Sequence, residues 1–437
     1  MPVTSSSIPS LAFDLTRLIT RLRHASPSGI DRVDLAYARH VLGQDGARFG
    51  LVSTAFGPRV LDRAEAARIV EAVAAGWVED LGALQDPVYR RLAAALGSGA
   101  VDAASSSAPR RNGMAARRRI QAQTAAAVLA AHGPEILPPG TVYQHTSHLR
   151  LDRPERFDWL YDRRDIRPVF FVHDLIPIDY PEYGRPGEAH RHRVRMETIA
   201  RHAAHVLVNS SDVGTRFLRH CASRGFTPRP VTVALLGVEP VFGGAGPSFS
   251  PTRPTFVACG TIEPRKNHLA LLHLWRDLAE RHGPATPRLV VVGRRGWEAE
   301  NIIDMLERCP AVAAHVTEVG GLSSHGLAAL LRSGTALLMP SFAEGYGLPV
   351  VEAAACGLPV IASDLAVHRE IGRDFAHFLD PLDGPGWRRT VEDLSVPDSA
   401  LRHRLAERSA VALLPNWTDH FATVDEVLAR VVCDRDT

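Results

Sequence analysis

The chain has 437 residues, of which 45% are hydrophobic and 22% are charged, and its formal net charge at pH 7 is +2. A chain of this length exceeds the size at which one core keeps growing, so we expect a soluble globular protein of two domains. The small net charge gives no indication of a nucleic-acid partner, and it leaves anionic substrates and an anionic membrane surface open.

The cysteines and the start of the chain favour the cytoplasm. Five cysteines are scattered without a CxxC pair, which favours a reducing compartment over disulfides or structural zinc. No apolar run approaches the ~20 residues that cross a bilayer. Residues 1–7 have neither the basic nor the apolar part of a secretory signal. We therefore expect a cytoplasmic protein.

Short apolar runs in the first half predict buried parallel strands. They lie at 11–15, 49–53, 141–145, 168–172, 206–209 and 231–235. Helical spacing of apolar residues predicts helices over 33–42 and 191–202. Residues 57–137 are rich in alanine and arginine, and they indicate helical segments without clear boundaries.

Two features of the first half are candidate ligand contacts. Gly29 lies in the turn between the first strand and its helix, where a phosphate or acceptor loop would lie, although most single glycines mark ordinary turns. His173-Asp174 directly follows a buried strand, and α/β folds place ligand-binding groups at the carboxyl ends of such strands. The residues alone support a structural and a ligand-binding role of His173 about equally.

A basic cluster precedes an alanine-rich helix in the middle of this half. It consists of Arg110, Arg111, Arg117, Arg118 and Arg119. Such a cluster is a candidate contact surface for anionic lipid headgroups. A solvated helix face or mobile loop is the slightly favoured alternative.

The second half is more regular. Residues 243–254 hold three glycines and three prolines and predict a linker. Strands at 256–259, 289–292, 316–319, 336–339 and 360–362 then alternate with helical stretches, which predicts a doubly wound parallel sheet. The chain from Trp387 onwards is predicted to be helical.

One stretch of this half predicts an anion site. A strand ending at Met339 is followed by a loop opened by Gly345 and Gly347, and Pro349 suits the first turn of a helix that would end at Gly357. Unpaired N–H groups and the helix dipole make the start of such a helix attractive to an anion.

Two carboxylates, Glu344 and Glu352, flank this predicted site. Carboxylates repel phosphate and accept hydrogen bonds from sugar hydroxyls, so the pair indicates a ligand that carries both groups. Taken without its surroundings, such a pair is more often a capping residue and a surface residue.

The only lysine of the chain, Lys266, lies in Glu-Pro-Arg-Lys-Asn at 263–267, after a predicted strand. At this place a compact ammonium has a geometry that a guanidinium lacks. The bias towards arginine is a compositional trend, so a single lysine could also be chance. We expect a cation in a strand-end loop to lie outside the core, so that its removal leaves folding little affected.

The string from Pro340 to Ala353, Pro-Ser-x-x-Glu-Gly-x-Gly-Leu-Pro-x-x-Glu-Ala, resembles the signature of family 4 glycosyltransferases, which are retaining enzymes of the GT-B fold. Further strings resemble the branch of that family that builds bacterial surface polysaccharides. They are 260–267 (Gly-Thr-Ile-Glu-Pro-Arg-Lys-Asn), 293–297 (Gly-Arg-Arg-Gly-Trp), 321–324 (Gly-Leu-Ser-Ser), 29–32 (Gly-Ile-Asp-Arg) and His173-Asp174. The resemblance is close over 255–380, moderate over 11–42 and 165–238, and absent over 57–137.

The resemblance implies an α/β protein of the GT-B type, with two Rossmann-like domains that face each other across a cleft. Residues 1–242 would form the acceptor domain, 243–254 the linker and 255–400 the domain that binds the donor nucleotide sugar. Residues 401–437 would form a helical segment that packs back on the first domain.

The resemblance also implies roles for single residues. Arg265 and Lys266 would grip the donor diphosphate, Glu344 would face the donor sugar, and Glu352 would hold the nucleoside ribose. His173 would reach the sugar from the opposite domain. The implied donor-binding positions are Gly29, Arg265, Lys266, Gly345, Tyr346, Gly347, Leu348 and Glu352, and the implied catalytic ones are His173, Arg265, Lys266 and Glu344. Tyr346 stands where phenylalanine is commoner, a change expected to be harmless.

The expected activity is the retaining transfer of a hexose, mannose as a first choice, from a nucleotide diphosphate sugar to a saccharide or lipid-linked saccharide. No metal, cofactor or nucleic acid is expected, and an anionic membrane surface is a candidate partner. Two alternatives stay open. A sugar-nucleotide epimerase of similar fold would need no acceptor, and a non-catalytic nucleotide-sugar-binding protein would lack the catalytic histidine or the acceptor cleft.

Overall fold

A computed structural model describes residues 9–24, 27–77, 81–97 and 114–433, with side chains from 118 onwards in the last range. Within these residues the strands form two sheets. The first contains Leu11–Asp14 (β1), Arg48–Thr54 (β2), Gly57–Asp62 (β3), Val142–His145 (β4), Arg167–Val172 (β5), His205–Val208 (β6) and Val231–Val233 (β7). The second contains Thr255–Cys259 (β8), Arg288–Val292 (β9), Val316–Val319 (β10), Ala336–Met339 (β11), Val360–Ser363 (β12) and Ala376–Leu379 (β13).

Helices connect these strands and cover both faces of the sheets. In the first half they are Thr16–Arg21 (α1), Gly29–Gly43 (α2), Arg63–Ala74 (α3), Pro87–Leu96 (α4), Met114–Ala130 (α5), Trp159–Asp162 (α6), Ile176–Asp179 (α7), Glu188–His202 (α8) and Ser211–Ser223 (α9). In the second half they are His268–His282 (α10), Glu300–Arg308 (α11), Pro310–Ala313 (α12), Ser324–Ser333 (α13), Leu348–Ala355 (α14), Ala366–Gly372 (α15), Gly384–Leu394 (α16), Ala400–Ala410 (α17) and Trp417–Cys433 (α18).

In both sheets the first strand of the chain lies in the interior of the sheet, and later strands are added on either side of it. The strand order is β3-β2-β1-β4-β5-β6-β7 in the first sheet and β10-β9-β8-β11-β12-β13 in the second. The order therefore reverses between β1 and β4 and between β8 and β11. Ligands of such sheets bind at these reversal points, beyond the carboxyl ends of the strands. The prediction of two Rossmann-like α/β domains is confirmed.

Every predicted strand is present, with ends shifted by at most two residues. Two strands were not predicted. Gly57–Asp62 pairs antiparallel with β2 at the sheet edge and buries only Val60 and Leu61, so its Gly-Pro start reads as a turn. Ala376–Leu379 pairs with β12 at the other sheet's edge, where partial burial weakens the apolar pattern.

Residues 81–97, which lie in the range predicted to hold helical segments without clear boundaries, join the two halves. Helix α4 packs against α13 of the second half. Asp86 is buried at the start of α4, where it accepts the Val88 N–H at 2.8 Å and, across the halves, the Ser323 N–H at 2.7 Å. One carboxylate thus caps α4 and holds the backbone of Ser323, the residue that caps α13.

The end of the chain divides between the two sheets. Ala400–Ala410 packs against α14 and α16, whereas Trp417–Cys433 crosses to the first sheet and packs on β4, β5 and β6. His420 fixes that crossing: its Nδ1–H donates to the Leu235 carbonyl at 2.9 Å, and its Nε2 accepts from the Tyr37 hydroxyl at 2.8 Å. Burial lowers the pKa of His420 to about 4, so the ring is neutral at pH 7.

The basic cluster of the first half falls partly outside the described residues, which omit Arg110, Arg111 and the side chain of Arg117. Arg118 and Arg119 are exposed on α5. In the part of the chain that the structure describes, no helix combines the length and apolarity needed to cross a bilayer.

Candidate active site

The predicted site residues meet where the two sheets face each other. The loops after β8 and β11, at the reversal point of the second sheet, carry 260–267 and 340–347. The segments after β1 and β5 of the first sheet carry Gly29 and His173. The carboxyl ends of both sheets therefore line one cleft.

Glu344 is the centre of the second-domain side. Its Oε1 accepts from Lys266 Nζ at 2.5 Å and from Ser341 Oγ at 2.6 Å, and its Oε2 accepts from Arg265 Nη1 at 2.9 Å. Arg265 Nη1 also donates to the Ala343 carbonyl at 2.9 Å. The carboxylate thus positions both cations at the reversal point of the sheet.

The three charges shift one another's titration. Burial by itself raises the pKa of Glu344, but Lys266 and Arg265 together hold that pKa well below its ordinary value. Burial lowers the pKa of Lys266 by more than Glu344 raises it. The pKa of Arg265 is raised, because Glu344 and Glu263 outweigh the effect of burial. The result is a charged cluster that is largely withdrawn from water.

The expectation that Lys266 lies outside the core is wrong. Only 8% of the residue is exposed, because its loop folds under the loop after β11. The Phe342 N–H donates to the Arg265 carbonyl at 2.8 Å, which ties the two loops together. Gly260, at φ +138°, leaves room for the lysine stem, since a Cβ there would lie 3.1 Å from Lys266 Cε.

Asn267 is a second tie between these loops. It has a left-handed backbone at φ 55°, which asparagine tolerates better than most residues. Its Nδ2 donates to the carbonyls of Pro340 and Pro381, both at 3.1 Å. The amide therefore anchors the turn that presents Arg265 and Lys266.

The first-domain side meets the second at Gly345. A Cβ at this position would lie 2.6 Å from the His173 carbonyl oxygen and 2.8 Å from Asp174 Cβ. The His173 carbonyl also accepts from Asn209 Nδ2 at 2.9 Å. Only glycine permits this close approach of the two backbones, so the residue allows the cleft to close here.

His173 is a fixed, neutral imidazole. Its Nε2–H donates to the Thr146 carbonyl at 2.6 Å. Burial lowers its pKa to about 4, although the Thr146 carbonyl acts in the opposite direction. At neutral pH the ring therefore adds no positive charge to the cleft.

Two helix starts converge beside this centre. Ser28 caps α2, where its N–H donates to Asp31 Oδ2 at 2.7 Å and its hydroxyl accepts the Asp31 N–H at 3.4 Å. A Cβ on Gly29, the first residue of α2, would lie 3.5 Å from the side chain of Leu348, the first residue of α14. Two positive helix ends at one place favour an anionic ligand.

Glu352 forms an ion pair across the cleft. It is 2% exposed, and its Oε1 accepts from Arg32 Nη1 at 2.8 Å. Beyond Arg32 lies a cavity of about 430 Å³ between the domains, also lined by Trp77, Glu239 and His325. The family resemblance implies that Glu352 binds the ribose of the donor nucleotide. The ion pair with Arg32 is a feature that the sequence did not indicate.

The hydroxyl of Tyr346, which phenylalanine lacks, forms a hydrogen bond. The residue is 5% exposed, and its hydroxyl donates to the Leu236 carbonyl of the first domain at 2.9 Å. The unusual residue of the signature thus adds a hydrogen bond between the domains.

Sequence reasoning missed His368. It is fully buried on α15, its Nδ1–H donates to the Ser363 carbonyl at 2.9 Å, and its Nε2 has no hydrogen-bond partner among the described residues. A Cβ at Gly347 would lie 3.3 Å from that Nε2. Burial lowers the pKa of His368, while Glu344 acts against this. The sequence signal that could have identified His368 is its position shortly after the end of a predicted strand, where α/β folds place ligand-binding groups.

The described residues include no group of three or more His, Cys, Asp or Glu side chains arranged to hold a metal ion. The chemistry that the site offers comes from two cations, one carboxylate, neutral imidazoles and two helix starts. Such a set can bind a diphosphate and polar groups of a sugar.

Comparison with known proteins points to the same region. Residues 253–385 match the family described as glycosyl transferases group 1. The serotype-specific mannosyltransferase WbdA of Escherichia coli is 28% identical over 229 residues, which are 48% of this chain and 27% of WbdA. The O-antigen chain mannosyltransferase B of Escherichia coli is 34% identical over 124 residues, 28% of this chain and 32% of that protein. The chain thus spans only a minor part of these relatives.

Solved structures share the fold over nearly the whole chain. Sucrose-phosphate synthase from Thermosynechococcus elongatus has a TM-score of 0.61 at 16% identity, covering 98% of this chain and 100% of that one. The Anabaena protein Alr3699/HepE, solved in complex with UDP and glucose, has a TM-score of 0.61 at 14% identity with the same coverage. These likenesses establish the GT-B architecture.

Proposed function

Because residues 253–385 form a glycosyl transferases group 1 domain, we propose that this protein is a retaining, metal-independent glycosyltransferase. It moves a hexose from a nucleotide diphosphate sugar to a saccharide or lipid-linked saccharide in polysaccharide assembly. GDP-mannose is the first donor to test, since several relatives are named mannosyltransferases.

The observation that carries this proposal is the pair of cations on Glu344. Lys266 and Arg265 lie within 2.5 and 2.9 Å of its two oxygens, opposite Gly29 and His173. Their positions are set before a substrate enters, so little reorganisation opposes the neutralisation of a developing charge. A diphosphate in this place would also meet the starts of α2 and α14.

The proposed reaction uses these positions. The bond between the anomeric carbon and the diphosphate oxygen breaks, and its electron pair stays on the diphosphate, where Arg265 and Lys266 stabilise the charge. The acceptor hydroxyl attacks from the same face, and its proton passes to an oxygen of the leaving diphosphate. No protein nucleophile is required. His173 and Glu344 orient the sugar through its hydroxyls.

A donor panel tests this proposal. The protein is incubated with GDP-mannose, UDP-glucose and related α-configured nucleotide sugars, with and without EDTA, and products are followed by ¹H NMR. We expect one donor to be consumed at the same rate in chelator and to give an α-linked product. A β-linked product or loss of activity in EDTA would contradict the mechanism. Epimerisation of the donor without transfer would favour the epimerase instead.

We also propose that the protein binds peripherally to the inner face of the cytoplasmic membrane. Arg118 and Arg119 are exposed on α5, which packs against β3. Phe56, in the turn between β2 and β3, is 81% exposed. Exposed basic and aromatic side chains suit a surface of anionic headgroups. Binding to phosphatidylglycerol vesicles should weaken as salt rises, and no binding at low salt would contradict this location.

A further inference from the structure

A cavity of about 390 Å³ opens at one end of the cleft beside Arg265. This volume lies within the range of small-molecule sites, roughly 300–1,000 Å³. The first domain contributes Asp174, Tyr183 and Arg185 to its wall, and the second contributes Glu263 and Trp297. Of the lining side chains, Arg265 belongs to the charged cluster around Glu344, and Glu263 pairs with Arg265.

Two glycines bring Trp297 into this wall. A Cβ at Gly293 would lie 1.9 Å from a backbone oxygen of the loop after β8, and one at Gly296 would lie 2.9 Å from the Ile262 carbonyl oxygen. The Gly296 N–H donates to that same carbonyl at 2.9 Å. The Gly-Arg-Arg-Gly-Trp loop is therefore pressed onto the loop that holds Glu263, and both side chains belong to one fixed surface.

Trp297 reaches across the cleft to the first domain. Its Nε1–H donates to the Tyr183 carbonyl at 2.9 Å, and the guanidinium carbon of Arg185 lies 5.5 Å from the indole centroid. The Tyr183 ring in turn stacks on Phe342, with centroids 5.9 Å apart and planes at 8°. This end of the cleft is thus an aromatic surface shared by both domains.

Glu263 supplies an unused hydrogen-bond acceptor. The residue is 1% exposed, its Oε1 accepts from Arg265 Nε at 2.6 Å, and its buried Oε2 has no hydrogen-bond partner within the described parts of the chain. Burial raises the pKa of Glu263, and Arg265 and Lys266 act against this. A buried polar atom without a partner is costly, so a ligand hydroxyl at this oxygen would be stabilising.

The charges of the wall favour a neutral ligand over an anion. Its carboxylates are Asp174, Glu188 and Glu263, and its guanidiniums are Arg185, Arg191 and Arg265. Glu188 already pairs with Arg191 and Arg195. The rest of the wall combines the Trp297 indole, the Arg185 guanidinium beside it and the carboxylates of Asp174 and Glu263. An aromatic surface with charged hydrogen-bonding groups suits the apolar C–H face and the hydroxyls of a pyranose.

We propose that this cavity binds the acceptor as a neutral pyranose, with Trp297 and Glu263 of the second domain as specificity-determining residues. The inference rests on the proposed function, since an acceptor exists only if the protein transfers sugar. The sugar ring packs against Trp297, and a ring hydroxyl donates to Glu263 Oε2. Both domains, and not the first alone, then select the acceptor.

The experiment separates acceptor recognition from donor chemistry. With the donor identified by the panel above, donor hydrolysis is measured without acceptor, and transfer is measured to the methyl α-glycosides of mannose, glucose and galactose and to methyl glucuronide. Trp297→Ala should raise the acceptor KM about tenfold or more and leave donor hydrolysis within about twofold. Trp297→Phe should keep most of the acceptor affinity. Glu263→Gln should also raise the acceptor KM.

Arg295→Ala is the matched control, because Arg295 lies in the same loop but pairs with Glu318 and Glu307 and does not line the cavity. Arg295→Ala should change neither the rate of donor hydrolysis nor the rate of transfer to the glycosides. Saturation-transfer NMR of the same glycosides gives a second readout, with signals lost in Trp297→Ala. An unchanged acceptor KM in Trp297→Ala, a preference for the glucuronide, or no binding of any glycoside would overturn the assignment. If the wild type consumes no donor at all, the proposed function itself fails.

Discussion

The two sides of the cleft differ in the charge of their buried polar groups. On the second-domain side, Arg265, Lys266 and Glu344 are charged, buried and held by two loops tied to each other. On the first-domain side, His173 donates its backbone N–H to His148 Nε2 at 3.3 Å. Both rings are buried and neutral, since burial lowers the pKa of both. The cluster of Arg265, Lys266 and Glu344 thus lies on one side, whereas the other contributes neutral imidazoles, the Arg32 guanidinium and a close backbone approach at Gly345.

The largest expected effect concerns the charged side. Lys266→Ala should lower kcat by about 10²–10³-fold, or ~3–4 kcal/mol, because one preorganised donor to the leaving group is lost. Lys266→Arg should not rescue fully, since a planar fork cannot replace a compact ammonium. Because Lys266 is buried, the alanine variant should also lose roughly 1–3 kcal/mol of stability. Single-turnover transfer and thermal unfolding measure the two effects.

The exposed cation Arg276, on the helix that follows, provides the control for this variant. Arg276→Ala should melt and react as the wild type does. If Lys266→Ala transferred sugar at the wild-type rate, the proposed role of Lys266 in stabilising the leaving group would be contradicted.

The neutral side should be visible in the pH dependence of stability. The pKa of His173 is about 4 in the folded protein against an ordinary 6.5, so the unfolded chain binds the proton more readily. The contribution of His173 to the free energy of unfolding is therefore complete above pH 6.5 and falls as the pH drops towards 4. His173→Gln should remove about 3 kcal/mol of that decline, measured as Tm against pH. An equal pH slope in His173→Gln and in the exposed-residue control His190→Gln would contradict a neutral buried ring.

The contact between the two sides can be broken at Gly345. Gly345→Ala adds a Cβ 2.6 Å from the His173 carbonyl oxygen, which should cost about 1–3 kcal/mol of stability and reduce kcat/KM by about tenfold or more. Gly384→Ala serves for comparison, because a Cβ there meets no atom within 4 Å. Equal activity and stability of the two variants would show that the close approach is not required.

The smallest effect is expected at Tyr346. Tyr346→Phe leaves the Leu236 carbonyl without the hydroxyl that bonds it at 2.9 Å, which should cost about 1 kcal/mol of stability. Activity should stay within about twofold, because the ring itself is retained. Thermal unfolding and steady-state rates measure both, and a loss of activity larger than the loss of stability would place the hydroxyl in the reaction.

The same comparison shows what sequence can reveal. The alternation of strands and helices and the strings at 260–267 and 340–353 are local patterns, so the second domain and its cations could be predicted. The burial of Lys266, the Arg32–Glu352 ion pair and the position of His368 depend on residues far apart in the chain that fold side by side. The packing of α4 was missed for the same reason, since its partner is α13 of the other half.

Binding of a nucleoside diphosphate tests the central claim most directly, which is that Arg265 and Lys266, positioned by Glu344, form a diphosphate site. Calorimetry compares GDP, UDP and the corresponding nucleosides on the wild type, Lys266→Ala and Arg276→Ala, in EDTA. We expect the wild type and Arg276→Ala to bind one diphosphate much more tightly than its nucleoside, and Lys266→Ala to lose most of that difference. Equal binding by all three proteins, or binding only when a divalent metal ion is added, would contradict the account.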